Sequence, residues 1–208
     1  MPNFRDRPNG QRPVVVGITG ASGSVLARKT IELLLTKDVP VIAVASSAAR
    51  LVWAEEMDET FGAALERWGD EGEFTHYPIG DLRAPIASGT FPTAGMAVVP
   101  CSMASVAAIA RGHADNLLRR AADVTLKERR PLVVVPRESP LSVIHLRNLT
   151  DLASAGATVV PPEPAFYLSQ ATVDDVVEFV AHRVVKALGI IDELPEEMQY
   201  FGPSEGYP

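Results

Sequence analysis

Apolar positions along the chain follow two spacings, short continuous runs and helical stripes. The continuous runs are rich in β-branched residues, which predicts strands that are buried on both faces of a sheet. They cover residues 13–19, 39–45, 96–100, 131–136 and 157–161, and a shorter run covers 74–77. Between the runs, apolar residues recur every three or four positions, which predicts helices. The helices cover residues 22–37, 46–57, 60–68, 102–111, 116–128, 140–155 and 172–188.

The alternation of strands and helices predicts one α/β domain around a single doubly wound parallel sheet, with helices on both faces. This is the three-layer αβα arrangement of Rossmann and flavodoxin-like folds. We place the domain at residues 13–190. The polar residues 1–12 predict a disordered leader. The acidic residues 191–208 predict a tail that is either disordered or packed onto a neighbouring subunit.

Composition narrows the classes of function. The 208 residues carry a net charge of −7, which argues against a nucleic-acid partner because such proteins favour a basic patch. No run approaches the roughly 20 apolar residues of a membrane span, and no stretch near the N-terminus suits a signal peptide. The single cysteine, Cys101, excludes an internal disulfide. We therefore expect a cytoplasmic protein that does not bind a membrane.

Small polar residues follow four of the predicted strands. These junctions are Thr19–Gly23, Ser46–Ser47, Pro100–Ser105 and Pro136–Pro140. Because the carboxyl ends of parallel strands share one edge of a sheet, we expect the four junctions to form a single rim. A serine at a helix start is often only an N-cap. Several serine hydroxyls beside free helix N–H groups, together with Arg137, nevertheless predict a site for a phosphate-bearing ligand.

The glycine pattern favours a mononucleotide over a dinucleotide. Glycines stand at 17, 20 and 23, unlike G-x-G-x-x-G, and the second strand ends in Ser46–Ser47 without the acid that binds a ribose. No zinc-type grouping, phosphate-binding P-loop or G-x-S-x-G elbow is present, and we expect no metal. Cys101 stands beside a helix start, where a thiol pKa can fall, but no histidine is placed to activate it as a nucleophile.

The fifth predicted helix is dense in charge. At helical spacing Arg120 and Lys127 share a face and Asp123 lies near it, which is typical of a solvated face with ion pairs. Glu138 is not part of this charged face. It follows a predicted buried strand directly and lies at the rim beside Arg137. A carboxylate in such a place, with cations nearby, is suited to proton transfer.

The chain resembles the UbiX-type flavin prenyltransferases, relatives of the flavin-binding cysteine decarboxylases. Four motifs carry the likeness, GITGASGS, ASGTFPTAGMAVVPCSM, DNLLRRAADVTLKERRPLVVVPRESPLSVIHLRNL and PPEPAFY, and it extends over residues 13–190. It implies a flavodoxin-like Rossmann fold in a homo-oligomer, commonly a dodecamer, with active sites at subunit interfaces. The family joins the prenyl group of dimethylallyl phosphate to N5 and C6 of reduced FMN, without a metal and with release of phosphate. Its prenylated FMN product goes to UbiD-type decarboxylases.

The resemblance also implies roles for individual residues. The positions that match flavin contacts are Gly20, Ala21, Ser22, Ser46, Ser102, Met103, Ala104, Ser105 and Arg137. Contacts to dimethylallyl phosphate are matched by Tyr167 and Arg183, and polar positions around its phosphate by Arg120, Lys127 and Glu138. A further active-site glutamate is matched by Glu56.

These matches suggest which residues take part in the chemistry and which surround the substrate. We expect Glu138 to transfer protons and Ser22 to lie near the reactive edge of the flavin. We expect Trp53 and the loop 84–92 to wall the prenyl site, because an allylic cation needs dry, π-rich surroundings. The chain departs from the family pattern at Leu26–Arg28 and at Ala94, which leaves the fine substrate preference open.

Two other functions stay open at this point. A flavin-dependent cysteine decarboxylase is expected to carry an early histidine and an asparagine near the serine cluster. Here no histidine precedes His76, and PCSMAS holds no asparagine. A non-catalytic FMN-binding partner subunit has no need of Arg120, Lys127, Glu138, Tyr167 and Arg183 together. The choice between monophosphate and diphosphate as prenyl donor is also open.

Overall fold

The computed structural model describes residues 12–202, so the predicted leader lies outside the described residues apart from Arg12. Six strands are found in this range: β1 (Val14–Ile18), β2 (Val41–Ala45), β3 (Phe74–His76), β4 (Gly95–Cys101), β5 (Leu132–Pro136) and β6 (Thr158–Val159). Seven α-helices are found there: α1 (Ser24–Leu35), α2 (Ser47–Glu56), α3 (Phe61–Glu71), α4 (Met103–Ala110), α5 (Leu117–Lys127), α6 (Val143–Ser154) and α7 (Val173–Ala187). Short 3-10 helices cover Pro85–Ala87, Phe166–Leu168 and Glu196–Met198.

All six strands pair in parallel, in the order β3-β2-β1-β4-β5-β6. This confirms the predicted doubly wound sheet, and the order is the one described for Rossmann folds. The register pairs Ile18 with Ala45 and Gly17 with Val98, so the carboxyl ends of β1, β2 and β4 lie side by side. The strand order reverses between β1 and β4, which is where such sheets bind ligands.

Two apolar cores cover the two faces of the sheet. One core joins α1, α2, α3 and α7 to one side of the strands, with Val14 and Val16 among its members. The other joins α4 and α5 to the opposite side, around Val15 and Val98. β1, β2, β4 and β5 are buried along their whole length, which explains why their sequences are continuous apolar runs instead of alternating patterns. Between residues 12 and 202, no helix is both long enough and apolar enough to cross a bilayer.

The structure differs from the prediction at several element boundaries and at one side chain; α6, for example, begins at Val143 instead of residue 140. α1 begins at Ser24 instead of residue 22, because Gly23 adopts a left-handed conformation with φ 113° as the N-cap. β6 has only two residues and pairs with β5 at the edge of the sheet, whereas the predicted run covers residues 157–161. Trp53 was expected at the prenyl site, but it is wholly buried between Phe61 and Trp68, with ring centroids 5.3 and 5.7 Å away. Trp53 therefore belongs to the core of this chain.

Candidate active site

Thr19 joins the first and third of the four predicted junctions. Its hydroxyl donates a hydrogen bond of 2.8 Å to the carbonyl oxygen of Pro100 and accepts one of 2.7 Å from the backbone N–H of Ser102. The Thr19 side chain is buried. Thr19 is not among the predicted site residues, although a hydroxyl that ends an apolar run next to a glycine turn is a signal of such a bridge.

The remaining junctions are joined by backbone hydrogen bonds. Ser46 N–H donates to the carbonyl of Ile18 at 2.9 Å, which ties the end of β2 to the end of β1. Arg137 N–H donates to the carbonyl of Cys101 at 3.2 Å, which ties the end of β5 to the end of β4. The four junctions therefore form one continuous rim, as the alternation of strands and helices predicts.

Two serines on this rim, Ser46 and Ser102, are N-caps. Ser46 Oγ accepts from Ala49 N–H at 3.0 Å, which leaves its own hydrogen free. Ser102 Oγ donates to Ser105 Oγ at 3.1 Å, so the hydroxyl hydrogen of Ser105 is free instead. The first N–H groups of α2 and α4 have no partners within their helices. The rim thus offers hydroxyl and amide donors to an anion at two helix starts.

The start of the first helix, in contrast, is occupied by a carboxylate of the same chain. Glu56, at the end of α2, accepts hydrogen bonds from Gly23 N–H at 2.9 Å and Ser24 N–H at 2.8 Å. Burial alone would raise the pKa of Glu56, but bonds from the Ser22 side chain and the two amides outweigh it and lower the pKa. A dinucleotide pyrophosphate would need these amides. Ligand phosphate must therefore be held elsewhere on the rim.

We predict that Glu56→Gln weakens the fold in a pH-dependent way. Because the Glu56 pKa is lowered in the folded protein, its contribution to stability is present above its unfolded pKa of about 4.5 and is lost as the pH falls through the folded value. The difference in melting temperature between wild type and Glu56→Gln should therefore be largest near pH 7 and shrink towards pH 3. A difference that does not change with pH would contradict the assignment of the charge to the α1 start.

We predict that Thr19→Val separates the ends of β1 and β4. The substitution keeps the shape but leaves the partly buried Ser102 N–H without its acceptor. The expected loss is about 1–3 kcal/mol in the free energy of unfolding, measured by urea denaturation of the flavin-free protein. Thr19→Ser is the matched control and should keep most of the stability, because it retains the hydroxyl. Equal stability of Thr19→Val and wild type would contradict the bridge.

Arg137 and Glu138 are exposed where β5 ends. Within residues 12–202, the guanidinium of Arg137 has no side-chain partner, and the Glu138 carboxylate accepts only the adjacent Ser139 N–H at 3.1 Å. Both groups are therefore available to a ligand. Cys101 is not, because it is fully buried, and burial raises its pKa to about 12. The helix start therefore does not lower the pKa of this thiol, because burial disfavours the thiolate.

The cations of α5 hold the long loop that precedes β4. Arg120 Nε donates to the carbonyl of Ala87 at 3.0 Å, and its Nη1 pairs with Asp123 at 2.7 Å. Arg130, just beyond α5, donates to the carbonyls of Gly89 and Phe91 and to the hydroxyl of Thr93. The charged face therefore carries one of the predicted ion pairs and also fixes the loop 84–92 along the helix.

Lys127 and Arg183 do not reach the rim within one chain. Lys127 ends α5 beside the amino end of β5, and it forms an ion pair with Glu128. Glu128 lines a cavity of about 580 Å³ at the amino ends of the strands, together with Pro131 and Leu188. The five residues of β5 separate this edge from the rim by about 16 Å. Arg183 lies on the exposed side of α7, in the part of the helix that leads to Leu188.

Tyr167 lies beyond β6 and is 58% exposed. Its ring contacts that of Tyr200 from the tail, with centroids 5.5 Å apart at 69°. A single chain therefore places the predicted flavin contacts together on the rim. It separates them from two cations that are predicted to hold the prenyl phosphate, Lys127 and Arg183.

Comparison with known proteins decides the family. The Flavoprotein family model matches residues 3–185. The flavin prenyltransferase UbiX of Synechocystis sp. is 45% identical over 189 residues, covering 86% of this chain and 92% of the relative. The flavin prenyltransferase UbiX of Neisseria meningitidis is 43% identical over 199 residues, covering 93% and 99%. The chain belongs to the UbiX-type flavin prenyltransferases. This confirms the resemblance found in the sequence motifs.

Solved UbiX-type structures share the fold. The crystal structure of AnUbiX (PadA1) in complex with FMN and dimethylallyl pyrophosphate has a TM-score of 0.84 and 37% identity, covering 94% of this chain and all of that one. The dodecameric FMN-dependent UbiX-like decarboxylase from Escherichia coli O157:H7 has a TM-score of 0.79 and 42% identity, covering 85% and 94%. The cysteine decarboxylase TvaF shares the fold at 14% identity, with a TM-score of 0.62.

The two departures from the UbiX-type pattern lie at opposite edges of the sheet. Leu26 and Ala27 are buried residues in the first turn of α1, and Leu26 N–H donates to the carbonyl of Gly23 at 2.9 Å, beside the rim. Ala94 donates its N–H to the carbonyl of Pro13 at the amino edge of the sheet, where it lines the 580 Å³ cavity. Neither departure alters a side chain of the predicted flavin site.

Proposed function

We propose that this chain is a flavin prenyltransferase, which joins a dimethylallyl group from dimethylallyl phosphate to N5 and C6 of reduced FMN. The observation that carries the proposal is 43–45% identity to two flavin prenyltransferases over 86–93% of the chain. The rim supports it independently, because it combines free donors for a phosphate with a free guanidinium and a free carboxylate.

FMN fits the rim better than a dinucleotide does. The hydroxyls of Ser46 and Ser105 and the starts of α2 and α4 suit a single phosphate, whereas Glu56 fills the α1 start. We assign flavin contacts to these groups and to Gly20, Ala21, Ser22, Ser102, Met103, Ala104 and Arg137. Arg137 is the one rim residue with a guanidinium, which suits it to hydrogen-bond ligand oxygen atoms. When bound, reduced FMN supplies the nucleophilic atoms of the reaction.

Glu138 is the best placed group for proton transfer. Its carboxylate is exposed on the rim and is not engaged in an ion pair within residues 12–202. Bond formation at flavin N5 breaks the C–O bond to the phosphate and releases one proton. Bond formation at C6 consumes the double bond of the prenyl group, which takes up one proton, and C6 releases another. A carboxylate can accept and return these protons. Glu56 orients Ser22 through the hydrogen bond that also lowers the Glu56 pKa. We therefore assign proton transfer to Glu138 and positioning near the flavin to the Ser22–Glu56 pair.

The prenyl phosphate is bound where two or more subunits meet. Tyr167, Arg183, Arg120 and Lys127 are assigned to this phosphate, and one chain does not bring Lys127 or Arg183 to its own rim. A neighbouring copy supplies the missing cations, so the enzyme is a homo-oligomer, as in the dodecameric relative. Cations and a tyrosine hydroxyl can stabilise the departing phosphate without a metal ion.

The proposal also covers the recipient of the product and the cellular compartment of the enzyme. The prenylated FMN is passed to a UbiD-type decarboxylase, which is the recipient that the family resemblance implies. The single buried cysteine suits a reducing cytoplasm, where the enzyme acts.

A release assay tests the proposed reaction against its alternatives. The purified protein is incubated without oxygen with reduced FMN and dimethylallyl phosphate, in the presence of a chelator, and inorganic phosphate is measured. A parallel reaction contains FMN and a peptide ending in cysteine, and carbon dioxide is measured. We expect phosphate release only. Carbon dioxide release would favour a cysteine decarboxylase, and bound FMN with neither product would favour a carrier.

A further inference from the structure

The C-terminal tail folds back onto the turn that carries Tyr167. Beyond α7, the chain forms the short 3-10 helix Glu196–Met198, and Gln199 Nε2 donates to the carbonyl of Leu194 at 2.6 Å. Met198 lines a cavity of about 250 Å³ together with Leu168 and residues of the α7 start. The tail is therefore not a free extension over its described part. It packs beside a predicted substrate-binding residue.

The turn that carries Tyr167 spans residues 165–170. Hydrogen bonds hold its two ends, at the base, whereas residues at its tip are exposed. Gln170 Oε1 accepts from Ala165 N–H at 2.8 Å, and Gln170 Nε2 donates to the carbonyl of Asp175 at 2.9 Å, which fixes the base to α7. At the tip, Phe166 and Tyr167 are largely exposed. The one ring contact of Tyr167 within residues 12–202 is the edge-on contact with Tyr200.

This contact limits the orientations that the Tyr167 ring can adopt. Edge-to-face aromatic pairs favour a defined geometry, and a free tyrosine ring on an exposed turn would otherwise sample several rotamers. A phosphate ligand needs the Tyr167 hydroxyl in one place, so a ring that is held in advance loses less freedom on binding.

We propose that Tyr200 is a positioning residue, which holds Tyr167 in the orientation that binds the phosphate of the prenyl donor. This proposal rests on the proposed function, because it takes the role of Tyr167 from it. The segment 195–201 becomes part of the active site by this route, although it lies outside the predicted domain at residues 13–190.

Binding of dimethylallyl phosphate to the protein loaded with oxidised FMN tests the proposal by calorimetry, without turnover. Tyr200→Ala should raise the dissociation constant by roughly two- to tenfold, the range expected for the loss of one aromatic pair. Tyr200→Phe should restore it, because the ring is kept. Phe201→Ala is the matched control, since Phe201 is a neighbouring exposed ring without a ring contact to Tyr167. In a Tyr167→Ala background, Tyr200→Ala should have no further effect.

FMN affinity and melting temperature separate positioning from a structural role, and both should stay unchanged in Tyr200→Ala. An unchanged dissociation constant in Tyr200→Ala, or an equal rise in Phe201→Ala, would overturn the proposal. Wild-type protein that binds dimethylallyl phosphate but does not prenylate FMN would refute only the proposed function. Wild-type protein that does not bind it would refute both.

Discussion

Glu138→Gln is expected to slow prenyl transfer by about 10²- to 10⁴-fold while FMN stays bound. The amide has the shape of the carboxylate but cannot accept the proton that leaves the flavin. Because Glu138 is exposed and forms no ion pair in the described part of the chain, its replacement should leave the fold intact. The rate is measured in a single turnover with reduced FMN and saturating dimethylallyl phosphate.

The matched control for this variant is Glu66→Gln. Glu66 is an exposed glutamate in α3, and it belongs to none of the four junctions that form the rim. It should turn over at the wild-type rate, and both variants should bind FMN as the wild type does. A wild-type rate in Glu138→Gln would remove Glu138 from the mechanism. A loss of FMN together with the rate would instead make it a flavin-binding residue.

Gly20→Ala is expected to weaken FMN binding by tenfold or more and to destabilise the fold by about 1–3 kcal/mol. A Cβ added at Gly20 would lie 2.4 Å from the Cβ of Ala48 and 3.1 Å from its carbonyl carbon. The loop after β1 and the start of α2 would have to move apart, and these two elements carry predicted flavin contacts. Fluorescence titration with FMN and thermal unfolding measure the two effects.

A compensating substitution makes this prediction sharper. Ala48→Gly removes the atom with the closest contact, so Gly20→Ala with Ala48→Gly should recover part of the FMN affinity, although glycine in α2 costs about 1 kcal/mol. Gly69→Ala is the control for FMN binding, because nothing lies within 4 Å of the added Cβ. It should leave the FMN affinity unchanged, and it should stabilise the fold by up to about 1 kcal/mol because alanine favours the α3 helix. Full FMN affinity in Gly20→Ala would show that the close approach of the two elements does not shape the site.

The sequence predicted the parts of the fold that depend on local patterns. Continuous apolar runs located β1, β2, β4 and β5, since a strand buried on both faces must be apolar throughout. The edge strands β3 and β6 are only partly buried, and the runs at residues 74–77 and 157–161 located them. Ser46 and Ser102 were predicted at helix starts because N-caps have a sequence preference, and both are N-caps in the structure. Strand order was left open between two fold types, because it depends on which way each crossover turns.

The contacts that were not predicted join residues distant in the sequence. Glu56 caps α1 from 32 residues away, and no local pattern indicates a cap supplied by another helix. Arg120 donates to the carbonyl of Ala87, which is 33 residues away in the sequence. The charge pattern of α5 alone therefore could not predict that Arg120 holds the loop 84–92. The burial of Trp53 has the same cause, since its partners Phe61 and Trp68 belong to the next helix.

The mass of the flavin tests the central claim most directly. The protein is incubated without oxygen with reduced FMN and dimethylallyl phosphate, the flavin is extracted, and its mass is compared with that from a reaction without the prenyl donor. The account predicts a flavin that is heavier by one five-carbon prenyl unit and appears only when the donor is present. Recovery of unmodified FMN from protein that has bound both molecules would contradict it.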